Sequence, residues 1–214
     1  SHYKNLAQGI MSTIPSTNQP FPLSILLSHN AYAQNHNQPI GRLAAGAGWL
    51  EAYLRYGKNK THYLIVPKKI EAQWFHKQAL HFDSQAKTQA VTVDKWGDMA
   101  AKTGAILLPG PGLDEWAWKR MPWGDGTTSL IGLVHTLCSR NVQWGLGQFS
   151  SAPIRNWDAL ICTSHASKVV IEGFLDRQEE WFKKRLGAKK FERPQLPIIP
   201  LGVHPKVWEI TEKN

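Results

Sequence analysis

The stretch "SLIGLVHTLCSRN", residues 129–141, contains a short apolar run that ends in His135, and the hydroxyl residue Thr136 follows directly. An apolar run of this length without polar alternation is typical of a strand buried on both faces of a parallel sheet. Taken alone, His135 has two interpretations. It is either a histidine satisfied inside the core or a reagent held at a strand tip.

Similar apolar runs recur along the chain and alternate with segments of helical period. This alternation predicts an α/β domain, a Rossmann-like three-layer sandwich whose mainly parallel sheet has about seven strands. The predicted strands are Leu23–Leu27, Tyr63–Val66, Ala90–Val93, Ala105–Leu108, Leu130–Val134, Ala159–Cys162 and Leu196–Ile199.

Two segments have the clearest helical pattern. In the first, "IGRLAAGAGWLEAYLRYG", Gly57 is placed to end the helix, and the apolar residues recur on one face at Leu43, Ala47, Leu50 and Leu54. In the second, Ser164 is a predicted N-cap for residues 165–186. Apolar positions there that indicate one helix or two joined helices are Val170, Phe174, Trp181 and Phe182.

Between Pro109 and Gly126 the sequence "PGPGLDEWAWKRMPWGDG" is rich in Gly and Pro and carries three Trp. We predict a long loop, and loops of that length in compact domains are usually functional. Ligands of open α/β sheets bind beyond the carboxyl ends of the strands, so this loop should border the site. Trp116 and Trp118 are candidates for stacking on a sugar, and ordinary packing beneath the loop is the alternative.

Polar residues follow two of the predicted strands. After the first strand, a polar loop leads to Gly41 and Arg42 at a helix start, where free N–H groups and the helix dipole suit a phosphate or carboxylate. After the sixth strand, Thr163 and Ser164 either face a ligand or cap the next helix, and Asp158 is expected to fix a turn. Neither G-x-G-x-x-G nor a P-loop is present, so those binding modes have no support.

Composition places the chain among globular proteins, because 42% of its residues are apolar and 19% are charged. No apolar run approaches the roughly 20 residues that a membrane-spanning helix needs. Cys138 and Cys162 have no spacing that suits zinc or a disulfide framework, and no Ser-, Cys- or carboxylate-based hydrolase pattern occurs. We therefore predict a cytoplasmic protein with reduced thiols and no metal site.

The chain is strongly basic. Its 214 residues carry a formal net charge of +9, and the segment "WFKKRLGAKKF", residues 181–191, mixes cations with aromatic rings. Such charge suits phosphate-rich ligands or peripheral contact with an anionic membrane, or it is no more than a solvated face. We do not expect nucleic acid as a partner, because no recognised motif accompanies the charge.

Three segments together resemble the N-terminal domain of a family 4 glycosyltransferase of the two-domain GT-B fold. They are "GLVHTLCSRN", "WDALICTSHASKVVIEGF" and "LPIIPLGVHPKVW". In that family a strand ending in His precedes an Asp-x-apolar-x-x-Ser strand, and an "IPNGVD"-like segment closes the first domain. This chain has His204 where the family has the acidic residue of that segment.

The resemblance implies a retaining transferase that needs no metal or cofactor. Such an enzyme moves a sugar from a nucleotide sugar, its donor substrate, to a hydroxyl of a carbohydrate or lipid-linked acceptor. His135 matches the family histidine beside the donor sugar and is the implied catalytic residue. Neutral imidazole can accept a hydrogen bond from a sugar hydroxyl, and imidazolium can support the charge of the leaving phosphate.

The resemblance also implies positions for the substrate-binding residues. Thr136 would lie in the same loop as the histidine, and Gly41 near the donor phosphates. Thr163 and Ser164 would face the interdomain cleft, and Gly202 would begin the crossing to the second domain. Trp116 and Trp118 are further substrate-binding candidates, which follow from the residue type and not from the resemblance.

The family binds its nucleotide sugar mainly through a second Rossmann-like domain that carries a Glu-x7-Glu signature, which we do not find here. We therefore predict a disordered lead over residues 1–20, an acceptor-side Rossmann-like domain over 21–200 and the start of an interdomain linker over 201–214. This half alone is expected to be inactive. The alternative is a non-catalytic module that recognises a glycan or an anion, docked at the cytoplasmic face of an anionic membrane.

Overall fold

A computed structural model of the chain describes residues 22–32, 41–57 and 59–202. The expected lead segment, most of the loop after the first strand and the residues after Gly202 lie outside these ranges. The described strands are β1 Ser24–Leu26, β2 Thr61–Val66, β3 Lys87–Thr92, β4 Ala105–Leu107, β5 Ser129–Leu133 and β6 Ala159–Ile161.

Seven α-helical segments and two 3₁₀ turns connect and follow these strands within the described ranges. The helices are α1 His29–Tyr32, α2 Gly41–Tyr56, α3 Lys69–Phe82, α4 Trp96–Thr103, α5 Leu113–Arg120, α6 Arg140–Leu146 and α7 His165–Leu186. The 3₁₀ turns are Val93–Lys95 and Met121–Trp123. The helix predicted from the first apolar stripe is confirmed, because α2 ends directly before Gly57.

The strands form one parallel sheet in the order β3-β2-β1-β4-β5-β6. This is the strand order of a Rossmann-like domain, in which the direction of winding reverses between β1 and β4. The predicted fold class, an α/β domain with a mainly parallel sheet, is confirmed.

Two hydrophobic clusters cover the two faces of the sheet. One contains Leu64 and Val66 of β2 together with Phe75 of α3, and the other contains the intervening Ile65 together with residues of α4 to α7. Side chains alternate between the faces of a strand, so β2 must be apolar at each of these positions. This explains why its sequence reads as a continuous apolar run.

The seventh predicted strand, Leu196–Ile199, is not a strand of the sheet: isolated parallel bridges join Ile198 to Cys162 and the preceding Gln195 to Ala159. Gln195 N–H donates to Asp158 O at 2.8 Å and Ile199 N–H donates to Cys162 O at 2.9 Å, so the segment follows the strand edge. Pro197 lies between these residues and has no N–H with which to continue the ladder. The proline explains why the described sheet has six strands rather than about seven.

The prediction of an irregular loop over residues 109–126 was wrong in its middle, because α5 occupies Leu113–Arg120. The Gly and Pro residues lie at the two ends of the segment, at 109–112 and 122–126, and the eight residues of α5 between them have a charge placement that favours a helix. The first turn of α5 holds Asp114 and Glu115 and its last turn holds basic residues, which complements the helix dipole. Lys119 also pairs with Glu115 one turn away at 2.6 Å.

The second predicted helix forms as one continuous helix, α7. Its buried residues are Ser167, Ile171, Leu175 and Glu179. Of the apolar positions that indicate the helix, Phe174 packs against the core, whereas Val170 and Trp181 are 54% and 61% exposed. The apolar spacing therefore indicates the helix without showing which side of it packs.

A buried ion pair joins α5 to the start of β6. Arg120 donates to both oxygens of Asp158, at 2.6 and 2.8 Å, and both side chains are fully buried. The carboxylate also accepts the N–H groups of Leu130 at 2.9 Å and Arg155 at 2.8 Å. The expected turn at Asp158 is present, since its own N–H donates to Arg155 O at 3.0 Å. Sequence analysis did not find the partner, Arg120.

We predict that Asp158→Ala lowers the free energy of unfolding by about 3–5 kcal/mol, because the Arg120 guanidinium then stays buried without its counter-charge. Arg120→Met should cost less, since the carboxylate keeps two backbone N–H donors and the thioether refills the space. Urea unfolding followed by circular dichroism measures both. As a control, Glu180→Ala removes one partner of an exposed pair and should leave the unfolding midpoint nearly unchanged. Equal effects of Asp158→Ala and Glu180→Ala would contradict the role assigned to the buried pair.

Candidate functional site

An open cleft of about 700 Å³ lies where the tips of β5 and β6 meet at the carboxyl edge of the sheet. It is lined by Val134, His135, Thr136, Leu137, Cys138, Gln143, Thr163, Ser164, Ala166, Ser167 and Val170. These residues come from the two strand tips and from the first turns of α6 and α7. The cleft therefore contains His135 together with three other predicted site residues, Thr136, Thr163 and Ser164.

Strand register brings the two tips to the same level. Leu133 of β5 pairs with Ile161 of β6, so His135 and Thr163 each lie two residues beyond a paired position. Val134 N–H donates to Ile161 O at 3.0 Å and continues the ladder up to the histidine. Parallel pairing of neighbouring strands thus places residues 28 positions apart in the sequence on one edge.

Three local hydrogen bonds order the loop that follows His135. Cys138 N–H donates to Thr136 Oγ1 at 3.2 Å, and Gln143 Nε2 donates to Leu137 O at 3.1 Å. The start of α6 is capped by Ser139, whose hydroxyl accepts the Val142 N–H at 3.4 Å. These local hydrogen bonds order residues 136–143, directly after the half-buried His135.

The opposite wall of the cleft is the beginning of α7, and the prediction that Ser164 caps this helix is confirmed. Ser164 Oγ accepts the Ser167 N–H at 3.1 Å, and Ser164 N–H donates to Ser167 Oγ at 3.1 Å, which makes a reciprocal capping box. The Ser164 hydroxyl thus has a structural partner already. Thr163, half-buried directly after β6, is the hydroxyl residue of this wall that precedes the cap.

A glycine in β5 lets the loop after β4 approach the strand that carries the histidine. A Cβ at Gly132 would lie 3.0 Å from Gly110 O and 3.2 Å from a methyl carbon of Leu113. Leu133 N–H donates to the same Gly110 carbonyl at 3.1 Å. The Gly-Pro part of the predicted loop therefore packs on β5 and supports the site, although it is not among the residues that line the cleft.

The other predicted site residues lie elsewhere. Gly41 is exposed at the start of α2, and the side chain of Arg42 is outside the described part of the structure. Gly202 is exposed three residues after Ile199, whose N–H donates to Cys162 O at the carboxyl edge. Neither Gly41 nor Gly202 is among the residues that line the cleft.

The two candidate stacking residues are not in the cleft. Trp116 is 6% exposed and makes an edge contact with Trp96, with ring centroids 5.3 Å apart. Lys119 Nζ lies 4.7 Å from the centroid of the Trp116 ring. Trp116 is therefore a core residue, which agrees with the packing alternative, while Trp118 is 57% exposed on the outside of α5.

Several cleft residues were not predicted as site residues, notably Gln143, Cys138 and Val170. The signal for Gln143 is its place in the first turn of the helix that follows the histidine loop. The apolar spacing that includes Val170 indicates a helix and no site, and its 54% exposure distinguishes it from the buried Ile171 beside it.

The cleft has little formal charge in a strongly basic chain. None of the described residues that line it is Lys, Arg, Asp or Glu. No group of three or more His, Cys, Asp or Glu side chains that could hold a metal ion occurs among the described residues. The arrangement offers hydroxyl, imidazole and amide groups, which match the hydrogen bonds of a neutral polyhydroxylated ligand.

The basic aromatic cluster of residues 181–191 lies far from this cleft. It begins in the last turns of α7, while the cleft contains the first turn. A helix of 22 residues is about 33 Å long. A surface that bound this cluster would therefore contact the opposite edge of the domain from the cleft.

Fold and cleft together define the chain as a Rossmann-like α/β domain with a ligand-sized cleft at the carboxyl edge of its parallel sheet. Comparison with protein-family models, with curated proteins and with solved structures found no match to this chain. Among the helices in the described ranges, none is long and apolar enough to span a membrane.

The two cysteines should differ sharply in reactivity. Cys138 is exposed at the cleft, whereas Cys162 is buried and its burial raises the pKa of its thiol. We predict that a maleimide labels one thiol in the native protein and both after unfolding in urea, as counted by mass spectrometry. Cys138→Ser should abolish the native labelling, and a ligand that occupies the cleft should slow it. Native labelling of Cys162 would contradict the described packing at the end of β6.

Proposed function

We propose that this chain is the acceptor-side half of a retaining glycosyltransferase of the GT-B type. In this proposal it acts with a second domain that binds the nucleotide sugar, and it moves a sugar to an acceptor hydroxyl. The observation that carries the proposal is the cleft in which His135 lies with Thr136 and Thr163 at the tips of β5 and β6.

The mutual placement of the three glycosyltransferase-like segments supports this function. The first contains the end of β5 and the histidine loop, the second contains β6 and the start of α7, and residues 196–199 of the third run beside β6. The tips of β5 and β6 lie on one edge of the sheet. The first two segments, which are separate in the sequence, therefore meet at one cleft, as a shared ligand would require.

The chemistry of the cleft fits the neutral part of the reactants. During transfer with retention, the bond between the anomeric carbon and the phosphate oxygen breaks, and the acceptor oxygen bonds to that carbon on the same face. The acceptor proton passes to the leaving phosphate. His135 would accept a hydrogen bond from a sugar hydroxyl as neutral imidazole, or support the phosphate charge as imidazolium.

The uncharged lining also supports an acceptor-side role. Arg and Lys side chains often hold nucleotide phosphates, and the described lining of this cleft has neither, although the N-terminus of α7 borders it. In this proposal the second domain binds most of the nucleotide. This chain would bind the acceptor and contact the transferred sugar and its leaving phosphate.

The test is transfer by the protein made from the complete natural reading frame, with a panel of nucleotide sugars and simple glycosides. We expect His135→Ala to lower kcat by about 10²-fold or more, because a group that stabilises the developing charge is lost. His81→Ala, an exposed histidine of α3, is the matched control and should leave kcat unchanged.

Three results would count against the proposal. The first is that no nucleotide sugar serves as a donor, and the second is that His135→Ala transfers at the wild-type rate. The third is turnover at typical enzyme rates by these 214 residues alone, which would contradict the assignment to one half of an enzyme.

A further inference from the structure

The four hydroxyl side chains that line the cleft differ in whether the protein already uses them. Ser164 Oγ accepts the Ser167 N–H at 3.1 Å, and Ser167 Oγ donates to Ser164 O at 2.8 Å, so the capping box occupies both. Thr136 Oγ1 accepts the Cys138 N–H at 3.2 Å. Within the described residues the hydroxyl of Thr163 makes no hydrogen bond, although Thr163 is half-buried. A ligand therefore binds this hydroxyl without displacing a structural bond.

The cleft also contains a primary amide, the side chain of Gln143 on α6. Gln143 Nε2 donates to Leu137 O at 3.1 Å, and the Gln143 backbone N–H donates to Ser139 O at 3.1 Å. The first bond joins the helix to the loop that follows His135, so the amide is restrained against that loop. A side chain restrained in this way loses less conformational entropy when it binds a ligand.

The bond to Leu137 uses the donor side of the Gln143 amide and leaves its acceptor. A glutamine side chain has two N–H donors and one carbonyl oxygen, which accepts hydrogen bonds. Nε2 makes the bond to the loop, whereas Oε1 makes no hydrogen bond within the described part of the chain. Gln143 Oε1 therefore offers an acceptor at the cleft, and a sugar O–H is a matching donor.

Gln143 and Thr163 belong to different elements of the cleft wall, and His135 belongs to a third. Thr163 follows β6, His135 follows β5, and Gln143 is on α6. Paired strands lie about 4.8 Å apart, so the tips of β5 and β6 are within reach of a single sugar ring. A sugar that binds both Gln143 and Thr163 is thereby fixed in orientation relative to His135.

We propose that Gln143 and Thr163 are the specificity-determining residues of the cleft, and that they select an acceptor with at least two free sugar hydroxyls besides the one that reacts. Gln143 Oε1 accepts a hydrogen bond from one hydroxyl, and the Thr163 hydroxyl binds a second. The inference rests on the proposed function and names its acceptor class. An acceptor with a single hydroxyl, such as a sterol or a serine side chain, leaves both groups without a partner and binds more weakly.

A purely structural role for Gln143 predicts a different result. If the amide only orders the loop, its loss weakens the binding of every sugar equally. If Oε1 binds a hydroxyl, its loss removes the difference in affinity between a sugar and the analogue that lacks this hydroxyl. Comparing each variant with each analogue therefore separates the two roles.

The test measures the binding of methyl glycosides of glucose, galactose and mannose to the isotope-labelled 214-residue chain by NMR titration. For a sugar that binds, the monodeoxy analogues are titrated next, each of which lacks one ring hydroxyl. We expect two of these analogues to bind at least about fivefold more weakly, because each leaves one group of the protein unpaired. The side-chain amide signal of Gln143, identified by its absence from Gln143→Met, should shift during the titration.

Two variants assign the hydroxyls. Gln143→Met should remove the affinity loss of one deoxy analogue and Thr163→Val that of the other, because each substitution keeps the size of the side chain and removes its hydrogen bond. Gln73→Met on α3, an exposed position, and Thr61→Val on β2, a half-buried one, are the matched controls outside the cleft. Both controls should retain both affinity losses. Thermal unfolding checks that every variant is folded, and Thr163→Val leaves the bond between Gln143 and Leu137 in place.

Several outcomes would overturn the inference. Among them are equal affinity for the parent sugar and all its deoxy analogues, and affinity losses that persist in both Gln143→Met and Thr163→Val. A Gln143 amide signal that does not move while a glycoside binds would also contradict it, as would the absence of binding by every glycoside. The proposed function is decided separately, by transfer and its dependence on His135, so the two can fail independently.

Discussion

The rest of this domain depends on the buried ion pair between Arg120 and Asp158. Arg120 is the last residue of α5, and Asp158 directly precedes β6. The Arg120 guanidinium also donates to Thr128 O at 2.8 Å and Pro153 O at 3.1 Å, and the Asp158 carboxylate accepts the Leu130 N–H at 2.9 Å. The pair thus sets the amino ends of β5 and β6 relative to one another. Buried ion pairs add little net stability over apolar packing, but removing one partner leaves a buried charge without its counter-charge, so packing arrangements that separate Arg120 from Asp158 are disfavoured.

The distribution of charge and apolar surface on α7 connects packing to function. Within one helix, the first turn closes a cleft whose described lining has no charged side chain, one side packs on the core, and the last turn is basic. The strong basic charge of the chain is therefore not gathered at its cleft. A ligand that reaches the strand tips meets hydroxyl, imidazole and amide groups.

Errors in the sequence-based expectations have identifiable physical causes. The helix α5 was not predicted because Gly and Pro residues flank it on both sides and favour a loop, although the charges between them favour a helix. In α7 the apolar spacing indicates a helix without showing which side packs, because the exposed Val170 and the buried Ile171 are both apolar. A seventh strand was predicted over Leu196–Ile199, but Pro197 has no backbone N–H to donate to β6, so the ladder does not continue through it.

The sequence by itself determined the fold class, the strand positions, the cap at Ser164 and the place of His135 at a strand tip, because periodicity, capping and turn chemistry are local properties. The tertiary structure alone decided that His135 faces Thr163 across one cleft, since that depends on which strands are neighbours and on the register of Leu133 with Ile161. It also decided that Trp116 is core and that Arg120 is the partner of Asp158. Contacts between residues far apart in the sequence depend on how the layers pack, and a local sequence pattern does not predict them.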